Sequence, residues 1–141
     1  MLDLSSLSYG DLATLVRALH EARFPAEFSD SLVWSAPFIV QLHTDAVFEQ
    51  IRRDDERDSA LKRGPQFFAN RRLWLNWRGR PEQGVVIKHI RSSPTVARSI
   101  VADPTVLRTW LRPFVIDDGT LSELLGVARE ALPWLGDERI G

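Results

Sequence analysis

Residues 8–23 read SYGDLATLVRALHEAR, and this stretch decides the class of the fold. Ser8 and Asp11 have the spacing of a capping box, in which two side chains cover free backbone amides at a helix start. Beyond them, apolar residues recur at the i, i+3, i+4, i+7 spacing of one buried helical face: Leu12, Leu15, Val16 and Leu19. Pro25 disfavours helical geometry at the residue before it. We therefore predict an amphipathic helix that ends near Arg23.

Further helix starts follow along the chain. Pro37 suits the first turn of a second helix, whose apolar stripe reaches Ile51 and continues as a charged extension. Three later stretches place a capping side chain at a helix start: Ser93-Pro94, Asp103-Pro104, and Thr120 with Glu123. Apolar residues outside the helices are expected to pack into the core: Phe28, Leu32 and Trp34 before the second helix, and Trp134 and Leu135 after the last one. We predict a mainly α fold, a compact bundle of five to six helices, in one globular domain over residues 1–141.

The stretch 66–91 is compatible with two interpretations. As a helix, residues 66–78 place Phe67, Phe68, Trp74 and Leu75 on a shared face. As strands, alternation at Leu73 and Leu75, and again at Val85 and Ile87, would flank a turn at residues 78–84. We favour the helix over 66–78 and keep one inserted β-hairpin around residues 71–91 as the alternative.

Composition excludes several classes of protein. The chain is 44% hydrophobic and 26% charged, which is typical of a globular protein and not of a disordered one. It has no cysteine, so disulfides, thiolate metal sites and a cysteine nucleophile are excluded. No apolar run approaches the ~20 residues that a membrane span needs, and the first residues lack the pattern of a signal peptide. We expect a soluble, cytoplasmic protein with no membrane partner.

The charged residues are unevenly distributed along the chain. Net charge is −6 over residues 1–61, +9 over residues 62–112 and −4 over residues 113–141. Sixteen of the eighteen basic residues are arginine, which suggests a GC-rich, bacterial genome. The basic middle also carries aromatic residues, and arginine can bind carboxylate or phosphate in a bidentate manner. The candidate binding surface consists of Arg71, Arg72, Trp74, Trp77, Arg78, Arg80 and Lys88. A simpler interpretation is that the acidic flanks fold against these arginines and that the aromatic rings belong to the core.

Known catalytic and nucleotide-binding motifs are missing from the sequence. The three histidines, His20, His43 and His89, are scattered, and none lies three or four residues from another histidine. A metal site would need these side chains to converge in space with carboxylates. We therefore predict no cofactor, no metal site and no catalytic residue.

The charge pattern favours a non-enzymatic protein–protein interaction domain with a basic central surface. Its size and charge layout are compatible with small bacterial adaptor, antitoxin or immunity proteins. The expected partner is an acidic protein or a second copy of the chain, since charged surfaces guide association and orientation. A nucleic-acid-binding domain that uses the same residues is the first alternative. The second is a small enzyme, which a concave pocket with converging titratable groups would favour.

Overall fold

The computed structural model describes residues 3–25 and 34–132. Helices make up 74% of these residues, which confirms the prediction of a mainly α fold. After a short 3-10 helix (Leu4–Ser6), the α-helices are α1 (Tyr9–Arg23), α2 (Pro37–Ala60), α3 (Pro65–Leu73), α4 (Glu82–Ser92), α5 (Pro94–Ala102), α6 (Val106–Trp110) and α7 (Asp118–Ala131). None of these helices combines the length and apolar character that crossing a bilayer requires. Of the predicted anchors, Trp34 is fully buried, and Phe28, Leu32, Trp134 and Leu135 lie outside the described residues.

Capping side chains define several of the predicted helix starts. Ser8 accepts a hydrogen bond from the backbone N–H of Asp11 at 3.1 Å and begins α1. Ser93 ends α4 and, by accepting from the N–H of Val96, also begins α5. The predicted start of the last helix is corrected. Asp117 is its cap and accepts from the N–H of Thr120 at 2.7 Å, so α7 begins two residues before Thr120.

The hairpin alternative over residues 71–91 is not formed, because this stretch holds the end of α3, a turn and then α4. Val86 and Ile90, four apart, have helical spacing and are fully buried on one face of α4, whereas Val85 and Ile87, which suggested the strand, are only partly buried. Glu82 supplies the acidic residue that favours a helix N-terminus. Within the described part of the chain, β pairing is limited to an isolated bridge between Asn76 and Val115.

The apolar side chains form one large cluster and two small ones. The large cluster lies among α4, α5, α6 and α7, and its fully buried members include Val86, Ile90, Ile100, Leu107 and Leu124. A smaller cluster joins the predicted stripe of α1 to α2 through Leu12, Leu19 and Ala46. Another small cluster contains Val47, Ile51 and Leu75. The helices are therefore arranged as an α1–α2 pair beside an α4–α7 group.

A fully buried arginine connects these two groups. The guanidinium of Arg23, at the end of α1, donates to the carbonyl of Trp34 through Nε at 3.1 Å and Nη2 at 2.9 Å. It also donates to the carbonyl of Trp110 at 2.6 Å and to that of Arg112. Its Nη1 lies 2.8 Å from Nδ1 of His43 on α2. Burial lowers the pKa of Arg23 to about 10, so the group remains charged at neutral pH. One side chain thus satisfies three backbone carbonyls from separate parts of the chain.

Replacing Arg23 with Met is expected to destabilise the protein by at least about 3 kcal/mol, because one buried and two partly buried carbonyls lose their donor. The matched control is Arg17→Met on the same helix, where the side chain is exposed and has no ion pair within the described residues. Urea unfolding followed by tryptophan fluorescence measures both variants. Equal shifts of the two unfolding midpoints would contradict the assigned role of Arg23.

Candidate binding surface and cleft

Helix α3 is unusual because it contains no buried residue. Gly64 precedes it and Pro65 occupies its first turn, where a missing N–H costs nothing. A nine-residue helix is too short to be stable in isolation. Yet Phe67 and Trp74 are each 39% exposed, and Leu73 is 59% exposed. Contacts other than apolar burial must therefore hold α3 in place.

Ion pairs with the acidic end of α2 provide those contacts. Arg71 binds Asp55 at 2.6 Å and also binds the buried carboxylate of Asp58. Arg72 binds Asp55 as well. Partial burial acts to raise the pKa of Asp55, but hydrogen bonds from Arg72 and Arg71 outweigh it and hold that pKa below its ordinary value. The acidic end of α2 therefore balances the charges of Arg71 and Arg72.

The other two predicted arginines also have acidic partners. Arg78 lies 3.0 Å from Asp117, at the cap of α7. Arg80 donates two hydrogen bonds to Glu82, from Nε to Oε2 at 3.1 Å and from Nη2 to Oε1 at 3.0 Å. Its guanidinium also lies over the rings of Trp74, at 5.3 Å, and Phe114, at 4.5 Å. All four arginines of the predicted surface therefore take part in charge balance within the chain.

The remaining predicted residues fall in different environments. Trp77 is fully buried, with its ring 5.6 Å from that of Phe24 and 5.3 Å from that of Phe114. Trp74, three residues earlier, keeps an exposed face. Lys88 is exposed on α4 and forms no ion pair with any described residue. The structure thus brings Arg71, Arg72, Trp74 and Arg80 to α3 and its C-terminal end, while Trp77 belongs to the core and Lys88 to another helix.

Several exposed apolar residues near α3 were not among the predicted surface residues. They are Leu61, Phe67, Leu73 and Val115. Val115 lies beside the end of α3, since its N–H donates to the carbonyl of Leu75 at 2.7 Å. The guanidinium groups of Arg63 and Arg71 lie 5.2 and 5.1 Å from the centre of the Phe67 ring. Arg63, Phe67 and Arg71 are spaced four residues apart, and this spacing is the signal in the sequence that could have identified Phe67 as a surface residue.

A separate cleft of about 420 Å³ opens between α1 and the start of α4. It is lined by His20, Glu21, Phe24, Pro25, Pro81, Glu82 and Val85. Nε2 of His20 lies 3.0 Å from Oε1 of Glu82, although the two residues are 62 positions apart in the chain. Sequence spacing could not reveal this pair, because only the packing of α1 near α4 creates it.

The charge states of the two residues define the hydrogen bond between them. Burial acts to raise the pKa of Glu82, but hydrogen bonding to Arg80 and to the backbone lowers it overall, so the carboxylate is ionised. Burial lowers the pKa of His20, against the opposing effect of Glu82, so the imidazole is neutral near pH 7. An ionised carboxylate can only accept a hydrogen bond. Nε2 of His20 therefore carries the proton, and Nδ1 has the free lone pair.

A second histidine lies behind the cleft. The ring of His43 lies 5.8 Å from that of His20, so two histidines that are 23 positions apart in the sequence meet in space. Nδ1 of His43 faces the Arg23 guanidinium, and its Nε2 is buried with no hydrogen-bond partner among the described residues. Burial, together with the charges of Arg23 and His20, lowers the pKa of His43 to about 3. Within the described ranges, no group of three or more His, Asp or Glu side chains could hold a metal ion.

Alanine substitutions are expected to separate the two tryptophans of this region. Trp77→Ala removes a fully buried ring and should cost about 3–5 kcal/mol of unfolding free energy. Trp74→Ala should change it by less than about 1 kcal/mol, because much of that ring remains in water. Urea denaturation of both variants provides the comparison, and similar losses in the two would contradict the assignment of Trp77 to the core.

Protonation of His43 is expected to destabilise the fold in mild acid. Its pKa is about 3 in the folded protein, against an ordinary value of 6.5 in the unfolded chain. The stability that the neutral His43 ring contributes is therefore fully present above the unfolded-state pKa of 6.5, and it is lost as the pH falls toward the folded-state pKa of about 3. Between pH 7 and pH 5 the loss is about 2 kcal/mol larger in the wild type than in His43→Gln. Urea unfolding at both pH values tests this, and parallel pH dependences in the two proteins would refute it.

Comparison of the chain with protein-family models, curated proteins and solved structures finds no match.

Proposed function

We propose that this chain is a non-enzymatic protein–protein interaction domain, and that α3 forms its docking surface. The α3 surface is defined here as Lys62, Arg63, Phe67, Arg72, Leu73 and Trp74. The single observation that carries the proposal is that α3 exposes large apolar side chains while it contributes none to the core. The partner we propose is an acidic protein segment with apolar anchor residues.

The exposed apolar residues are concentrated near α3. Single exposed apolar residues are normal on protein surfaces, whereas groups of them mark interaction sites. Of the eight large hydrophobic residues that are exposed in the described part of the chain, four lie between Leu61 and Trp74. Val115 adds a fifth, next to the end of α3. Trp and Arg, which meet here in the Trp74–Arg80 pair, are enriched among residues that dominate binding energy.

The charge on the same surface favours an acidic partner. Residues 62–80 contain six basic residues and no acidic one. Four of the six are paired with carboxylates of this chain, and Lys62 and Arg63 form no ion pair with a described residue. Arg72 and Arg78 remain substantially exposed despite their pairs. This segment thus combines exposed apolar side chains with positively charged ones, and complementary charge on a partner would direct its orientation.

The same ion pairs make nucleic acid a weaker candidate. A phosphate would have to compete with Asp55, Asp58, Asp117 and Glu82 for the arginines predicted to bind it. An acidic protein with apolar anchors can bind Leu73 and Trp74 without breaking those pairs. The protein interaction therefore uses groups that are available in the folded chain.

The test is a purification of partners from native lysate with tagged protein, with and without nuclease, followed by reconstitution with the purified partner. The double variant Leu73→Ser/Trp74→Ser should weaken binding at least tenfold, because interface energy is concentrated in such anchors. The matched control is Phe38→Ser, which replaces an apolar side chain that is 76% exposed on α2. It should change the affinity less than twofold. Hydrogen exchange should show protection of α3 in the complex.

Three outcomes would overturn the proposal. Capture that disappears with nuclease would identify nucleic acid as the ligand. Equal effects of the α3 and Phe38 variants would place the interface elsewhere. A dimer in light scattering that the α3 double variant dissociates would identify a second copy of the chain as the occupant.

A further inference from the structure

The cleft between α1 and α4 has a surface that differs in chemistry from the α3 surface. One wall comes from His20 and Glu21 on α1, and the opposite wall from Glu82 and Val85 on α4. The ring of Phe24 lies 5.5 Å from that of His20 and supplies apolar surface between them. A volume of about 420 Å³ falls within the range of small-ligand sites.

The polar groups that line this cleft are hydrogen-bond acceptors. Nδ1 of His20 has a free lone pair and receives no hydrogen bond from a described residue. Glu21 is exposed and has no ion pair within the described residues. Glu82 already accepts from His20 and Arg80 at Oε1, from Arg80 at Oε2 and from the backbone, and these bonds use its four lone pairs. A ligand that satisfies His20 and Glu21 must donate hydrogen bonds.

The charges that line the cleft point to a cationic donor. The charge of Glu82 is balanced by Arg80, and His20 is neutral, so Glu21 is the uncompensated charge on the wall. Arg23 is the other nearby cation, but it is fully buried and its guanidinium is bound to backbone carbonyls and His43. Phe24 and Val85 offer apolar surface to the rest of the ligand.

We propose that this cleft binds a small organic cation, a primary ammonium group on an apolar or aromatic body. The ammonium group donates to Nδ1 of His20 and to the carboxylate of Glu21, and the body packs against Phe24 and Val85. The residues that line this cleft are not those of the α3 surface, so the two proposals concern separate ligands.

The experiment uses benzylamine as the cationic probe, with benzyl alcohol and benzoate as neutral and anionic probes of similar shape. Binding is followed through the amide resonances of Glu82 and Val85 and the imidazole resonance of His20. Benzylamine should bind with a Kd on the order of 1–10 mM, as expected for so small a ligand. Benzyl alcohol should bind at least fivefold more weakly, and benzoate should not bind.

The matched variants are Glu21→Gln, which removes the uncompensated carboxylate, and Glu130→Gln, which removes an exposed carboxylate at the end of α7. Glu21→Gln should weaken benzylamine binding at least fivefold, and Glu130→Gln should leave it unchanged. The α3 double variant should also retain benzylamine binding, so failure of one proposal is distinguishable from failure of the other. The proposal is overturned if benzoate binds as well as benzylamine, if Glu21→Gln and Glu130→Gln behave alike, or if benzylamine fails to saturate these resonances.

Discussion

The buried guanidinium of Arg23 is the interaction on which the arrangement of the two helix groups depends. It holds the end of α1 against the residue that leads into α2, through the carbonyl of Trp34, and against the segment after α6, through the carbonyls of Trp110 and Arg112. Arg23 forms no ion pair with a carboxylate among the described residues. The cost of removing its charge from water is therefore offset by hydrogen bonds to backbone dipoles. The planar guanidinium also has several donors in fixed directions, and it therefore fixes the orientation of all three carbonyls.

Positions near Arg23 follow from that arrangement. Its Nη1 faces Nδ1 of His43, which keeps that ring neutral and places it beside His20. The ring of Phe24, the next residue, packs against Trp77 and Phe114 in the core. His20, one helical turn before Arg23, thereby reaches Glu82 at the start of α4. The cleft is thus a consequence of how the end of α1 is anchored.

Charge balance within the chain explains the uneven charge pattern of the sequence. The acidic end of α2 binds the arginines of α3, and the cap of α7 binds Arg78. The more exposed of these pairs, Arg72 with Asp55 and Arg78 with Asp117, contribute only about 0–1 kcal/mol each, so they position their segments more than they stabilise the fold. Arg80 has a double role, since it contacts Trp74 of the α3 surface and also orients Glu82 in the cleft. The two proposed sites are therefore connected through one side chain.

Local sequence determined the helices, because capping residues and apolar spacing act within a few positions. The stripe Leu12, Leu15, Val16 and Leu19 predicted α1, and Pro37 and Ser93-Pro94 marked later starts. The sequence also determined which arginines and aromatic residues are concentrated between residues 62 and 91. Over residues 71–91 the apolar residues fitted both the two-residue spacing of a strand and the spacing of a helix. Val86 and Ile90, which are four apart and fully buried, show that the helix forms.

Only the tertiary structure decided which charges are paired, which tryptophan is buried and which histidines meet. Trp74 and Trp77 have similar neighbours in sequence, yet only Trp77 turns into the core between Phe24 and Phe114. The pair of His20 and Glu82 joins positions 62 apart, and no local pattern encodes such a contact. Helix formation depends on interactions over three or four residues, whereas a site depends on how whole helices pack, and that packing is a property of the complete fold.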